Sequence, residues 1–249
     1  MTIANQLIQL NTIKQNIKTA INNKGGSVGN DFNAYANAIT NLPSGVTGGT
    51  IVYGKADVVT IEPYGSTVKT IGDRDFQSWT HATGLVLGEG FEAVNEYAFF
   101  QWSNATSLSL PASLKAIAQY AFSTWTKCTS ITIKEGLDSV GIFALSSNIC
   151  TNIEFPNSLK TVGGGCVANC SQLLKLKFGT GVTSMAAQVI LGCTTLQEFT
   201  IMALTPPTIT VNTLQGIPTS CVIKVPSASL SAYKTAANWS IHASKMVGI

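Results

Sequence analysis

Between Val68 and Ile201 the chain writes one short pattern six times, and no other property limits its fold as tightly. A pair of apolar residues leads each copy: Val68/Ile71, Phe91/Val94, Leu114/Ile117, Leu137/Val140, Leu159/Val162 and Val182/Met185, at steps of 23, 23, 23, 22 and 23. Asp75-Phe76, Ala98-Phe99, Ala121-Phe122, Ala144-Leu145, Cys166-Val167 and Val189-Ile190 repeat with the same steps. A third column holds Leu85/Leu87, Leu108/Leu110, Ile131/Ile133, Ile153/Phe155, Leu176/Phe178 and Phe199/Ile201, so the one missing residue falls between Ala144 and Ile153. Self-similarity at a fixed period of this length indicates a solenoid, in which each rung buries its apolar edge against its neighbours.

The columns also say which side chains face inward. Strand side chains alternate, so Val86, Ser109, Thr132, Glu154, Lys177 and Thr200, each between two apolar residues, point outward. Glu154 beside Lys177 places opposite charges on neighbouring rungs, which helps to pin register. Elsewhere Trp79, Trp102, Trp125, Asn148, Cys170 and Cys193 share one column, and Ala82, Ala105, Cys128, Cys150, Leu173 and Leu196 another. Large-then-small becomes small-then-large along the chain, as expected of two positions that fill one core space, which puts the tryptophans inside. Five of the six cysteines occupy such columns and read as small buried hydrophobes that stay reduced. One further row, Arg74, Tyr97, Tyr120, Phe143, Gly165 and Gln188, sets three aromatics one rung apart, either as a stacking ledge for a sugar or as a cover for the rung edge.

Composition narrows the function. Apolar residues make up 45% of the chain and charged residues 11%, which excludes disorder and suits a stacked or assembled component. The net charge of +3 is spread singly, leaving no basic patch for nucleic acid. Apolar runs are too short to span a bilayer, and MTIANQLIQL lacks the parts of a secretory signal. Only His81 and His242 are available as imidazoles, neither in a metal-spaced cluster, and no nucleophile-elbow or phosphate-loop motif occurs. The chain is therefore expected to be no enzyme and to need no cofactor.

Outside the repeats the signals are local. Ile3, Leu7, Leu10, Ile13, Ile17 and Ile21 form a helical stripe over 3–22, stopped by Lys24-Gly25-Gly26. A second helix is expected over 31–39, with Phe32 and Tyr35 on its apolar side. Two short helices bury little alone, so they need a partner: the solenoid, other copies of themselves, or a larger assembly. The first stripe would support a trimer, although its heptad breaks at Lys14. After Ile201, Pro206, Pro207 and Pro218 interrupt the period, Val222–Val225 reads as a last strand, and Ser227 reads as the N-cap of a helix ending near Ala237.

Three resemblances follow from quoted text. SLKAIAQYAFSTWTKCTSITI, Ser113 to Ile133, resembles the BspA-type leucine-rich repeat, whose pattern is L-x-x-I, G-x-x-A-F, a Cys and a Leu, then I-x-L and Pro; Pro111 and Pro156 close strands in the same way. Asp75 in the first rung, and Cys166-Val167 and Val189-Ile190 in the last two, depart from the Ala-Phe column. TPP, IKVP and LSAYKTAANWS resemble the C-terminal closure of such proteins. LNTIKQNIKTAINNKGGSVGNDFNAYANAI resembles an N-terminal module of bacteriophage and prophage tail, baseplate and fibre proteins, with IKxxIxxKG, then V, then YAxxI.

These resemblances imply a mainly β chain with short helices. It has a helical attachment module at 1–45, a linker and lead-in cap at 46–65, a single-stranded leucine-rich-repeat solenoid of about six 22–23-residue rungs at 66–203, and a strand-helix cap at 204–249. They imply a virion protein, made in the host cytoplasm, that docks on other virion proteins through Leu7, Leu10, Ile17, Ile21, Phe32 and Tyr35. Its solenoid would bind a host surface glycan or protein through Tyr97, Tyr120, Phe143, Ser109, Thr132, Glu154 and Lys177. A BspA-like bacterial or protist surface adhesin is the alternative, and a glycan-degrading solenoid the remote one.

Overall fold

A computed structural model describes residues 50–55, 58–63 and 69–249 of the chain. Both expected N-terminal helices, with Leu7, Leu10, Ile17, Ile21, Phe32 and Tyr35, lie outside the described residues, as does Val68.

Each repeat folds into one coil bearing two strands. The apolar-x-apolar segments form the longer set, and the second member of each leading pair, with the residue before it, forms a two-residue strand that the repeat pattern did not announce. In chain order the strands are β1 (Thr50–Lys55), β2 (Val58–Pro63), β3 (Thr70–Ile71), β4 (Gly84–Leu87), β5 (Ala93–Val94), β6 (Ser107–Leu110), β7 (Ala116–Ile117), β8 (Ser130–Ile133), β9 (Ser139–Val140), β10 (Asn152–Glu154), β11 (Thr161–Val162), β12 (Lys175–Phe178), β13 (Ser184–Met185), β14 (Glu198–Ile201), β15 (Thr208–Ile209), β16 (Val222–Val225) and β17 (Met246–Gly248). Among the described residues the short strands make one sheet, ordered β15-β13-β11-β9-β7-β5-β3, while the long strands make two, β1-β2-β4-β6-β8 and β10-β12-β14-β16-β17. Apart from the β1–β2 hairpin every pairing is parallel, and β2 and β16 extend the six expected rungs to eight turns. Register follows the columns: Leu85 pairs with Leu108 and Leu108 with Ile131; beyond β10, Ile153 pairs with Leu176, Leu176 with Phe199 and Phe199 with Ile223.

Stacking equivalent residues at the strand-to-strand spacing packs like on like. Phe76, Phe99 and Phe122 stack with ring centroids 5.2 and 5.3 Å apart, Trp102 lies 5.4 Å from Trp125, and Phe155 lies 4.9 Å from Phe178. Trp102 and Trp125 are fully buried, as the volume exchange required, whereas Trp79 is half-buried against the same core. All six cysteines are buried free thiols.

Volume is only part of that exchange. Trp102 Nε1 donates to Phe76 O (2.5 Å) and Trp125 Nε1 to Phe99 O (2.7 Å). Further along the column, Cys170 Sγ donates to Leu145 O (3.5 Å) and Cys193 Sγ to Val167 O (3.1 Å), while Asn148 Nδ2 reaches Leu145 O (2.6 Å). Tryptophan, asparagine and cysteine replace one another because each carries a donor for a carbonyl that the turn buries.

Between the two strands of a coil the backbone makes a third ladder. Tyr97, Phe99 and Gln101 donate to Gln119, Ala121 and Ser123 of the next turn at 3.1, 2.9 and 3.0 Å, and the turns beginning at Arg74, Tyr120, Phe143 and Gly165 repeat this. The first and last of these donors are left-handed in every repeat, as at Tyr97 (φ 56°) and Gln101 (φ 64°). The C-terminal cap contains β16 as expected, but Ser227 does not cap a helix. A 3₁₀ turn runs Ser227–Ser229, helix α1 spans Leu230–Thr235, and Ser227 N–H is bonded to Ile249 O where β17 returns beside it. Tyr233 and Trp239 pin the cap through bonds to Ala203 O and Pro207 O, each 2.8 Å.

Candidate functional site

Parallel stacking lines up the outward residues of the long strands on one side of the coil, in two sheets that meet between β8 and β10. Ser109, Thr132, Glu154 and Lys177 present their side chains there, with Ser107, Ser130, Asn152 and Lys175 in the row beside them. Glu154 accepts from Lys177 Nζ, the expected neighbour pair. Thr200 departs from the expectation: it is 3% exposed, flanked in its row by Lys177 and Lys224, and its hydroxyl donates to Glu198 Oε1 at 3.1 Å. Glu198 in turn holds Lys224 (2.7 Å), which draws the Glu198 carboxyl below its usual range. The face is therefore divided: strands β4, β6 and β8 carry no charge, whereas β10, β12, β14 and β16 carry Glu154, Lys175, Lys177, Glu198 and Lys224.

The aromatic row has a different geometry from a sugar-stacking ledge. Tyr97 and Tyr120 stack at 4.9 Å and 13°, Tyr120 and Phe143 at 5.2 Å and 18°. The Arg74 guanidinium caps the outer face of Tyr97 at 4.6 Å, and Phe143 lies so close over Gly165 that a Cβ there would meet its ring at 2.3 Å. The ring faces are thus covered by one another and by the two ends of the row, and solvent meets ring edges and the two tyrosine hydroxyls.

A third set of residues was not singled out by the repeat columns. Glu89 accepts from the N–H groups of Ala112 (3.1 Å) and Ser113 (3.0 Å), and Glu135 accepts from those of Asn157 (3.0 Å) and Ser158 (3.1 Å). Ser113 and Ser158 answer by accepting from Gly90 N and Gly136 N and donating to Phe91 O and Leu137 O. Lys69, Glu92, Lys115, Asp138 and Lys160 alternate in sign on the same edge, with Lys69–Glu92 and Lys160–Asp138 paired at 2.6 and 2.7 Å. The unit of this edge is two rungs, so pairing that skipped a rung would set like charges side by side.

The Ala112 and Ser113 N–H groups, then Lys134, lower the Glu89 pKa from 4.5 to about 2. A carboxyl depressed by folding stabilises above its unfolded pKa and loses that contribution as pH falls through the folded value. Melting temperature at low salt should therefore fall between about pH 5 and pH 2, and Glu89→Gln should flatten part of that fall in circular-dichroism melts. The group is exposed, so the effect should be modest and should shrink with added salt.

Among the described residues no cluster of His, Cys, Asp or Glu is suited to hold a metal ion, and no helix is long and apolar enough to cross a membrane. Burial pushes the Cys166 thiol up, away from the reactive range.

Comparison with known proteins accords with this architecture. The family model for the BspA type leucine rich repeat region matches in six copies over residues 55–147 and 92–216. No curated protein gives a significant sequence match. Among solved structures, a leucine-rich repeat protein from Bacteroides ovatus superposes with a TM-score of 0.52 at 18% identity, over 75% of this chain and 56% of that one. A T. pallidum leucine-rich repeat protein gives 0.53 at 17% identity, over 79% of this chain and 92% of that one. At such identities the structural likeness speaks for the fold alone. With the family pattern spanning residues 55–216, the chain belongs to the BspA-type leucine-rich repeat family.

Proposed function

We propose that this chain is a BspA-like adhesin, a binding scaffold that contacts a glycan or protein at a cell surface through the outward face of its long strands. The observation that carries this reading is the outward row Ser109, Thr132, Glu154 and Lys177, held on a parallel stack whose long-strand sheet is interrupted once, between β8 and β10, with no metal cluster among the described residues. Flat, polar and only partly charged, such a face suits multipoint recognition better than chemistry on a bound substrate. The aromatic row lies where the short strands give way to the third ladder, away from this face, and its closed ring faces make it a secondary contact.

Fluorescently labelled full-length protein should bind intact bacterial or host cells saturably, and prior protease or glycosidase treatment of the cells should identify which polymer it recognises. Binding that never saturates, or that bovine serum albumin matches, would sink the adhesin reading. A second reading, favoured by the phage-module resemblance of LNTIKQNIKTAINNKGGSVGNDFNAYANAI, makes the same solenoid a virion fibre or tip docked through its N-terminal residues. Peptides of this chain in purified, nuclease-treated particles would support it, and their absence from particles of a strain that expresses the chain would count against it.

A further inference from the structure

The residue missing from the fourth repeat does more than break a period. Trp125 and Asn148 are still 23 apart while Cys128 and Cys150 are 22 apart, so the loss falls between Asn148 and Cys150. Asn148 compensates locally. Its Oδ1 accepts from Cys150 N (3.0 Å), replacing the bond that Cys128 N makes to Trp125 O (2.9 Å) in the rung before.

Beyond that point the two rungs part on one side only. Ile149 N reaches Cys128 O (3.0 Å), a bond the other described rungs do not make, and β9 pairs with β11 in full register, yet β8 and β10 are not hydrogen-bonded. Contact resumes where the Glu135 carboxylate holds Asn157 and Ser158. What remains is a slot closed at both ends. Ile131 and Ile133 beside it are half-buried, although their counterparts Leu108, Leu110, Ile153 and Phe155 are at most 2% exposed. A depression of about 170 Å³ lies at the C-terminal end of this gap and reaches β12, with Ile133 and Phe155 among Glu135, Glu154, Asn157 and Lys177.

The chemistry of the slot selects its occupant. Because both ends are closed, an extended peptide has no path through it. Two carboxylates against one lysine, itself paired with Glu154, disfavour an anion. The lining offers donors and acceptors together, the facing strand edges add unladdered backbone groups, and Ile133, Phe155 and Pro156 supply apolar contact. A pyranose ring matches all three, since its hydroxyls both donate and accept and its C–H face is apolar.

We propose that the slot between β8 and β10 binds one uncharged sugar ring at the end of a surface glycan. This inference rests on the adhesin reading and specifies the ligand class for the charged part of its face.

Saturation-transfer NMR of the full chain with the methyl glycosides of glucose, galactose, mannose, N-acetylglucosamine and N-acetylgalactosamine tests it. At least one should bind saturably with a dissociation constant on the order of 1 mM. Glu154→Gln and Lys177→Met should each weaken it about tenfold, as expected for the loss of a hydrogen bond to a charged group. Inserting one serine after Ile149 restores the 23-residue rung and should abolish binding without lowering the melting temperature. If no glycoside binds, or if both point variants bind unchanged, the slot is not a sugar site. Cell binding that survives in those same variants would then leave the adhesin reading standing while the slot falls.

Discussion

Trp102→Ala is expected to cost about 3 to 5 kcal/mol of stability, measured as a shift in the urea midpoint by circular dichroism. The indole is fully buried, stacks on Trp125 at 5.4 Å and meets Phe99 edge-on at 5.1 Å, so its removal leaves a cavity that both neighbouring rungs border. It also orphans Phe76 O, which accepts the indole N–H at 2.5 Å. Trp102→Phe separates these contributions. It keeps most of the ring and loses the donor, and should cost about 1 to 3 kcal/mol, the penalty of a buried carbonyl left unpaired. Equal stability of Trp102→Phe and wild type would contradict the donor role assigned to the Trp/Asn/Cys column.

Gly136→Ala should be comparably damaging for a different reason. Gly136 has φ 129°, and a Cβ on it would sit 1.9 Å from Ala112 O in the preceding rung. That neighbour is backbone, already fixed by the Glu89 carboxylate, so it cannot yield as a side-chain tip would. Strain and displacement together should cost at least about 3 kcal/mol. Because each rung touches only its neighbours, the damage should uncouple the rungs on either side and broaden or split the thermal transition. Gly216→Ala is the matched control: φ is 80°, but the nearest atom to its Cβ is Leu191 Cδ1 at 3.7 Å, so only the backbone strain of about 1 kcal/mol is expected.

Much of the fold was legible because strand alternation and a constant step act on every copy at once. Leu85, Leu108 and Ile131 align in the structure as they do in the text, and so do Ile153, Leu176 and Phe199. The short strands were less visible, since two residues carry no periodicity of their own. Two-rung alternation was available in the spacing of Glu89 and Glu135 (46) and of Ser113 and Ser158 (45), but it is hidden when each rung is compared only with the next. Parity placed Thr200 outward, yet flanking lysines buried it, an effect of side-chain length that column reading does not weigh. Likewise Tyr97, Tyr120 and Phe143 read as neighbours, but their left-handed backbone and mutual stacking, which cover the ring faces, emerge only in three dimensions. The missing residue was obvious in the sequence. Which side of the coil absorbs it was not, because Asn148 mends the turn and leaves the gap to the long strands.

The most direct measurement compares two variants for binding to the cells that the wild-type chain recognises. One carries Thr132→Ala, Glu154→Ala and Lys177→Ala on the strand face, and the other carries Tyr97→Leu and Tyr120→Leu in the closed aromatic row. With both shown to be folded by circular dichroism, the strand-face variant should lose at least about tenfold in affinity while the aromatic-row variant stays within about threefold of wild type. Full retention of binding by the strand-face variant, or selective loss in the aromatic-row variant, would contradict the assignment of the long-strand face as the contact surface.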